Sequence, residues 1–144
     1  MPPEVLEYIK TQRVGVLAVE MLDGSPHGAT VHFAHTDEPL VFFFETNREY
    51  RKTEALLGRD TSRATFVLGV DEKEPKTLQL DGQVRIIKPE ERGTFDQTYF
   101  GKFPAKKEKN KDQVLFVFVP TWWHYTDFTK PKDGRILSSD SKVK

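Results

Sequence analysis

Short runs of β-branched and aromatic residues, separated by Gly, Pro, Asp and Asn, set the pattern of this chain. "RVGVLAVEM" (13–21) predicts a strand, and "DGSPHG" (23–28) a turn in which Gly24 tolerates positive φ and Pro26 cannot donate to a ladder. "ATVHFAH" (29–35) completes a hairpin, and "TDEP" turns the chain into "LVFFFE" (40–45). Strand character returns in "SRATFVLGV" (62–70) and "KTLQLDGQVRII" (76–87), where Gly82 marks a bend or bulge. "QVLFVFVP" (113–120) and "TWWHYTDF" (121–128) read as the last two strands. Three segments have helical spacing instead. "EVLEYIKTQ" follows Pro2 and Pro3 and lines up Val5, Leu6 and Ile9 on one face. The second runs from Arg48 to Leu57 with Gly58 as its stop, and the third is "KPEERGTFDQTYFGKF", begun by Pro89. "AKKEKNKD" (105–112) reads as a charged loop, and "SSDSKVK" as a frayed polar end.

Six or seven strands with turn spacing for antiparallel neighbours, plus three short helices, predict a small barrel with helices packed outside. A strand with one wet face alternates, yet "LVFFF" and "VLFVFV" do not. Both faces of these strands are therefore expected to be covered, the inner by the core and the outer by a helix or a second subunit. An isologous homodimer is one way to cover it.

Composition narrows the function. The 144 residues fit one domain, taken as 1–130 with a polar tail at 131–144. Lys+Arg 22 against Asp+Glu 22 leaves no net field for general nucleic-acid binding, so a basic site must be local. The absence of Cys removes disulfides, thiolate metal sites and thiol nucleophiles. No apolar run approaches the roughly 18 residues of a membrane span, and "MPPEVLEYIK" carries no signal region. The expectation is a soluble cytoplasmic protein without membrane or nucleic-acid partners.

The common catalytic motifs are missing: there is no G-x-S-x-G, P-loop, G-x-G-x-x-G or H-E-x-x-H. His32 and His35 lie three apart on a predicted strand, on opposite faces, which is poor spacing for a metal pair. The distinctive stretch is "LVFFFETNREYRKTEALLG" (40–58), where a bare hydrophobic strand ends in Thr46-Asn47 and meets Arg48, Arg51 and Lys52. Thr46 and Asn47 are candidate caps for the helix that follows, whose free N–H groups favour an anion. Cations in a first turn oppose the helix dipole unless they hold a negative ligand. A phosphate resolves that conflict; so do surface pairs with Glu49 and Glu54. The residues alone leave both readings open.

Phe44-Glu45-Thr46-Asn47 followed by Tyr50-Arg51-Lys52 resembles the signature of the FMN-binding split-barrel family, also called pyridoxamine 5′-phosphate oxidase-like. The resemblance extends over about residues 10–128, through "DGSPHGATVHF", "RATFVL" and "TLQLDG" before "QVRII". It implies an α+β, mainly β fold: a six- or seven-stranded antiparallel split β-barrel with short flanking helices. It implies that FMN is the cofactor, that Thr46, Arg51 and Lys52 hold its phosphate beside Glu45 and Asn47, and that Thr30, Val31 and His32 lie along the ring. Gln79 resembles a ring-contacting glutamine, and Trp122 or Trp123 an aromatic that reaches the flavin across a homodimer interface.

The departures matter as much. Tyr50 stands where the family has Ser, and Ala29 where true oxidases carry Arg. "TYFGKFP" resembles their substrate helix and keeps Tyr99, but Phe103 replaces an arginine, and the C-terminal Arg-x-His motif is missing. The resemblance thus implies an FMN-dependent oxidoreductase of unknown substrate rather than a pyridoxamine phosphate oxidase. Its competitors are a non-catalytic flavin carrier or sensor, and a split barrel that takes F420 or haem, with His32, His35 or His124 as axial candidates. A single-strand nucleic-acid groove built on "AKKEKNK", Arg48 and Arg51 is the most distant.

Overall fold

Val14–Glu20 alternates half-buried and buried positions, as a strand with one face on a core must, and forms β1. The computed structural model describes residues 1–69, 71–107 and 113–140. In these, α1 (Pro3–Thr11) precedes β1, followed by β2 (Pro26–His32), β3 (Ala34–Asp37) and β4 (Leu40–Asn47). Then come α2 (Arg51–Gly58), β5 (Ser62–Leu68), β6 (Lys76–Ile86), α3 (Arg92–Lys102), β7 (Gln113–Asp127) and β8 (Ile136–Ser138). Seven strands pair antiparallel in the order β2-β1-β5-β6-β7-β4-β3, with β8 added to β7. This is the expected split β-barrel with flanking helices.

The inner face is a phenylalanine core. Phe66 is fully buried, and its ring lies 5.2 Å from each of Phe33, Phe42 and Phe44. Phe44 stacks on Phe116 at 5.0 Å, and α1 closes one end with Val5, Tyr8 and Ile9. The bare strands do have two covered faces. Phe42 and Phe44 point into this core, whereas Phe43 and Val117 pack outside against Phe95, Tyr99 and Phe103 of and after α3. The cover over these two residues is a helix, so their hydrophobicity gives no separate argument for a second subunit.

Several boundaries differ from expectation, each for a physical reason. The two final strands are one: β7 runs straight through Pro120. Pro120 lies opposite Gly82, where the β6–β7 register shifts and leaves Thr121 without a partner, so its missing N–H falls where the ladder is already broken. Gly82 is required there, because a Cβ would come within 2.1 Å of the Val119 carbonyl oxygen. Conversely, the strand expected over 29–35 is split at Phe33, whose N–H donates to Arg13 O and whose ring is in the core. The first hairpin turn is shorter than 23–28, since Met21 N–H donates to Ser25 O at 2.7 Å and β2 already begins at Pro26. Pro89 opens a single 3-10 turn, with α3 proper starting at Arg92. The C-terminal stretch is not wholly frayed: β8 pairs with β7, and Ser139 N–H donates to Trp123 O. Of the loop expected at 105–112, residues 108–112 lie outside those described.

Candidate functional site

The end of β4 and the start of α2 face the open edge of β2. Among the described residues that strand pairs only with β1, which leaves its other edge without a strand partner there. Between them is a cleft of about 510 Å³. Thr30, Val31 and His32 form the β2 wall, and Glu45, Thr46, Asn47 and Lys52 the opposite one. Tyr50, Tyr99, Ala105, Lys106 and Gln113 complete it. Seven of these residues, Thr30–His32, Glu45–Asn47 and Lys52, are ones the resemblance implied, and the fold brings their two chain segments to one cleft.

Asn47 shapes the turn rather than capping the helix. Its side-chain oxygen accepts from Glu49 N–H at 2.9 Å, and its carbonyl accepts from Tyr50 N–H and from Thr53 Oγ1. The N-cap of α2 is Tyr50, without any side-chain cap bond. Neither expected cap therefore serves the helix. The Thr46 hydroxyl is thus buried with no hydrogen-bond partner among the described residues. A buried hydroxyl left alone is destabilising by about 1–3 kcal/mol, so it calls for a ligand or other partner.

Lys52 has a comparable problem. It is 6% exposed and makes no ion pair among the described residues; its ammonium sits 4.6 Å from the Tyr50 ring centroid. Burial pushes its pKa down. Glu49 and Glu54 do not pair with it, nor with Arg48 or Arg51, among the described residues, so the surface-pair reading of the stretch has no support. Arg51 is exposed and does not line the cleft.

The far wall mixes signs. Burial raises the pKa of Glu45, and the Lys106 charge opposes that rise. Lys106 Nζ lies 3.3 Å from the Tyr99 hydroxyl. His32 is held below the ordinary imidazole range, first by burial and then by Lys106, Arg13 and Lys102, and so stays neutral at pH 7. Lys106 and Gln113 were missed in the sequence. They lie on either side of a charged stretch of sequence that has no hydrophobic pattern to mark its neighbours as part of a site.

Three candidates lie elsewhere on the chain. Gln79 is exposed on β6 opposite His124 of β7. Trp122 pairs with Asp81 on that same outer face and stacks on His124 at 5.9 Å, with 24° between the rings. Trp123 points the other way, opposite Leu80, and packs against the barrel core. None of the three lines the cleft.

The family model described as pyridoxamine 5′-phosphate oxidase matches residues 1–127. Among curated protein sequences, none matches significantly. A haem-binding protein from Mycobacterium smegmatis superposes with a TM-score of 0.69 at 13% identity over 94% of this chain, which spans 55% of that one's length. A Clostridium acetobutylicum protein related to general stress protein 26, of the pyridoxine phosphate oxidase family, gives 0.64 at 18% identity, covering 97% of this chain and 94% of that one. A FAD-binding protein from Mesorhizobium loti gives 0.62 at 16% identity, covering 87% and 94%. At such identities these structures establish the shared fold.

Proposed function

Because the chain belongs to the pyridoxamine 5′-phosphate oxidase family, we propose that its cleft binds FMN and that the protein is an oxidoreductase acting on a small molecule. The observation that carries this reading is the buried Thr46 hydroxyl, unpartnered among the described residues, in the same cleft as the buried Lys52, which makes no ion pair among them. A hydroxyl donor and an ammonium without an acid are what a phosphate monoester needs. The α2 N-terminus, with no side-chain cap bond, adds the positive end of its dipole.

When bound, FMN supplies the electron or hydride chemistry, which accounts for a cleft without an acid–base dyad. The chain binds and orients. Thr46 and Lys52 fix the phosphate end, and the open edge of β2 at 30–32 presents backbone donors and acceptors to the flat ring system. Arg51, exposed beside them, strengthens the local field more than it shapes the site. Neutral His32, the Tyr99 hydroxyl, Glu45, Lys106 and Gln113 are polar groups left for a substrate. Phe103 puts an apolar ring where the resemblance implies an arginine, which argues against pyridoxamine phosphate as that substrate. In a homodimer, Trp122 on the outer face of β7 is the residue placed to meet a second copy; Trp123 is committed to its own core.

A haem reading draws on His32, a neutral imidazole in the cleft. The test is spectroscopic. Titration with FMN should quench flavin fluorescence saturably, and anaerobic NAD(P)H should then bleach the bound flavin with turnover on re-oxidation. Flavin binding without reduction would leave a carrier or sensor. A Soret band on haem addition that is lost in His32→Ala, with no flavin binding, would replace FMN by haem.

A further inference from the structure

The end of α2 buries Ala55 and Leu56 in the core but leaves Leu57 52% exposed. Ile86, the last residue of β6, is 38% exposed, although Val84 before it and its partner Phe116 are fully buried. These two side chains line one recess of about 440 Å³, with Ile87, Pro89, Val114 and Leu115. A second recess, of about 600 Å³, shares Leu57, Ile86, Ile87, Lys88 and Pro89 with the first, so the two form one groove. The groove is distinct from the cleft: Gln113 is the one residue they have in common among those described. Exposed apolar side chains gathered in a concave surface, rather than scattered singly, mark a binding site. Both recesses fall within the roughly 300–1,000 Å³ of small-molecule sites.

Charge gives the groove a direction. The first recess holds Arg48, Lys88 and Arg92, and no carboxylate lines it among the described residues. Arg92 is held by Asp96 at 2.8 Å, whereas Arg48 and Lys88 make no ion pair among the described residues. In the second recess the cations are already matched: Arg59 pairs with Glu20 and Arg85 with Glu91, and Asp60 adds an acid. An anionic head is therefore favoured at Arg48 and opposed at Asp60. The walls also select the body of the ligand. No Phe, Tyr, Trp or His lines either recess, so a flat ring finds nothing to stack on, and the contacts are branched aliphatic groups. We infer that this groove binds an aliphatic carboxylate of the medium-chain fatty-acid class. Its carboxylate lies on Arg48, and its alkyl chain runs along Leu57 and Ile86 towards the second recess. The position is independent of flavin in the cleft.

The test is calorimetric titration of the purified protein with decanoate, beside 1-decanol and decylamine, which carry the same chain on a neutral and a positive head. Saturable decanoate binding, weaker decanol binding and still weaker amine binding are expected. Arg48→Gln should weaken decanoate roughly fivefold or more, since it removes a charge-assisted contact, and leave decanol unchanged. Leu57→Gln should weaken decanoate and decanol alike, roughly threefold or more, by removing apolar contact. Both residues are exposed, so both variants are expected to melt like the parent. Lys52→Met should bind decanoate as the parent does, because Lys52 belongs to the cleft. Absence of decanoate binding, or equal affinity for decanoate and decylamine, overturns the inference. So does affinity unchanged in Leu57→Gln, or binding lost in Lys52→Met, which would put the chain in the cleft. A dimer that Leu57→Gln dissociates would assign the groove to a second copy and overturn it as well. All titrations are made without flavin, so a failure of FMN to bind removes the flavin reading and leaves this one standing.

Discussion

Thr46 and Lys52 hold buried polar groups with no hydrogen bond or ion pair among the described residues, and this separates stability from binding at single residues. Thr46→Val keeps the shape and removes a buried hydroxyl that has no partner among the described residues. The ligand-free variant should be more stable than the parent by about 1 kcal/mol, read as a shifted urea midpoint. Its FMN affinity should nonetheless drop. Lys52→Met should behave alike, with a loss of roughly tenfold or more in FMN affinity, because a charge-assisted hydrogen bond contributes about 1.5–3 kcal/mol. Arg51→Gln, on the surface, should cost less. Equal losses for Arg51 and Lys52 would mean that burial does not rank them. Lys102 gives a pH signature. Its folded pKa of about 8 lies below the 10.5 of an unperturbed lysine, so the unfolded chain binds the extra proton between those values. Stability should therefore rise with pH across that window, and the rise should be smaller in Lys102→Met. Lys52 and Lys106 shift the same way, so the difference between the two proteins is the quantity to compare.

At the level of elements, the β6–β7 pair carries the longest register and its one irregularity. Gly82→Ala should destabilise by about 1–3 kcal/mol or more, because the new methyl meets a backbone oxygen and no rotamer can relieve it. Thermal melting beside Gly93→Ala, where a Cβ meets nothing within 4 Å, separates this clash from the general effect of losing a glycine. The same pair shows where sequence was legible. Gly82 announced its bulge, since nothing else fits a close backbone approach. Pro120 misled, because a proline reads as a strand end unless one knows that its partner strand is bulged opposite it. "LVFFF" and "VLFVFV" announced two covered faces, and the packing of Phe43 and Val117 under α3 supplies the second. Most of the cleft could be read because the residues from Glu45 to Lys52 are contiguous. Lys106 could not, since its place depends on how the chain folds back after Phe103.

For the molecule as a whole, the split barrel leaves one outer sheet face bearing Gln79, Asp81, Trp122 and His124, away from the α3 cover. If that face meets a second copy, Trp122→Ala should shift sedimentation towards monomer and weaken flavin binding. Trp123→Ala should instead lower stability by about 1–3 kcal/mol, since this ring packs on the core but is only partly buried. Dimerisation unchanged in Trp122→Ala would remove this face from the interface. The central claim is that the cleft reads a flavin by its phosphate, and the most direct measurement is a fluorescence titration of the purified protein with FMN and with riboflavin. Saturable FMN binding with riboflavin at least tenfold weaker is the predicted result, the gap being the worth of the Thr46 and Lys52 contacts. Equal affinity for the two, or no binding of either, would contradict it.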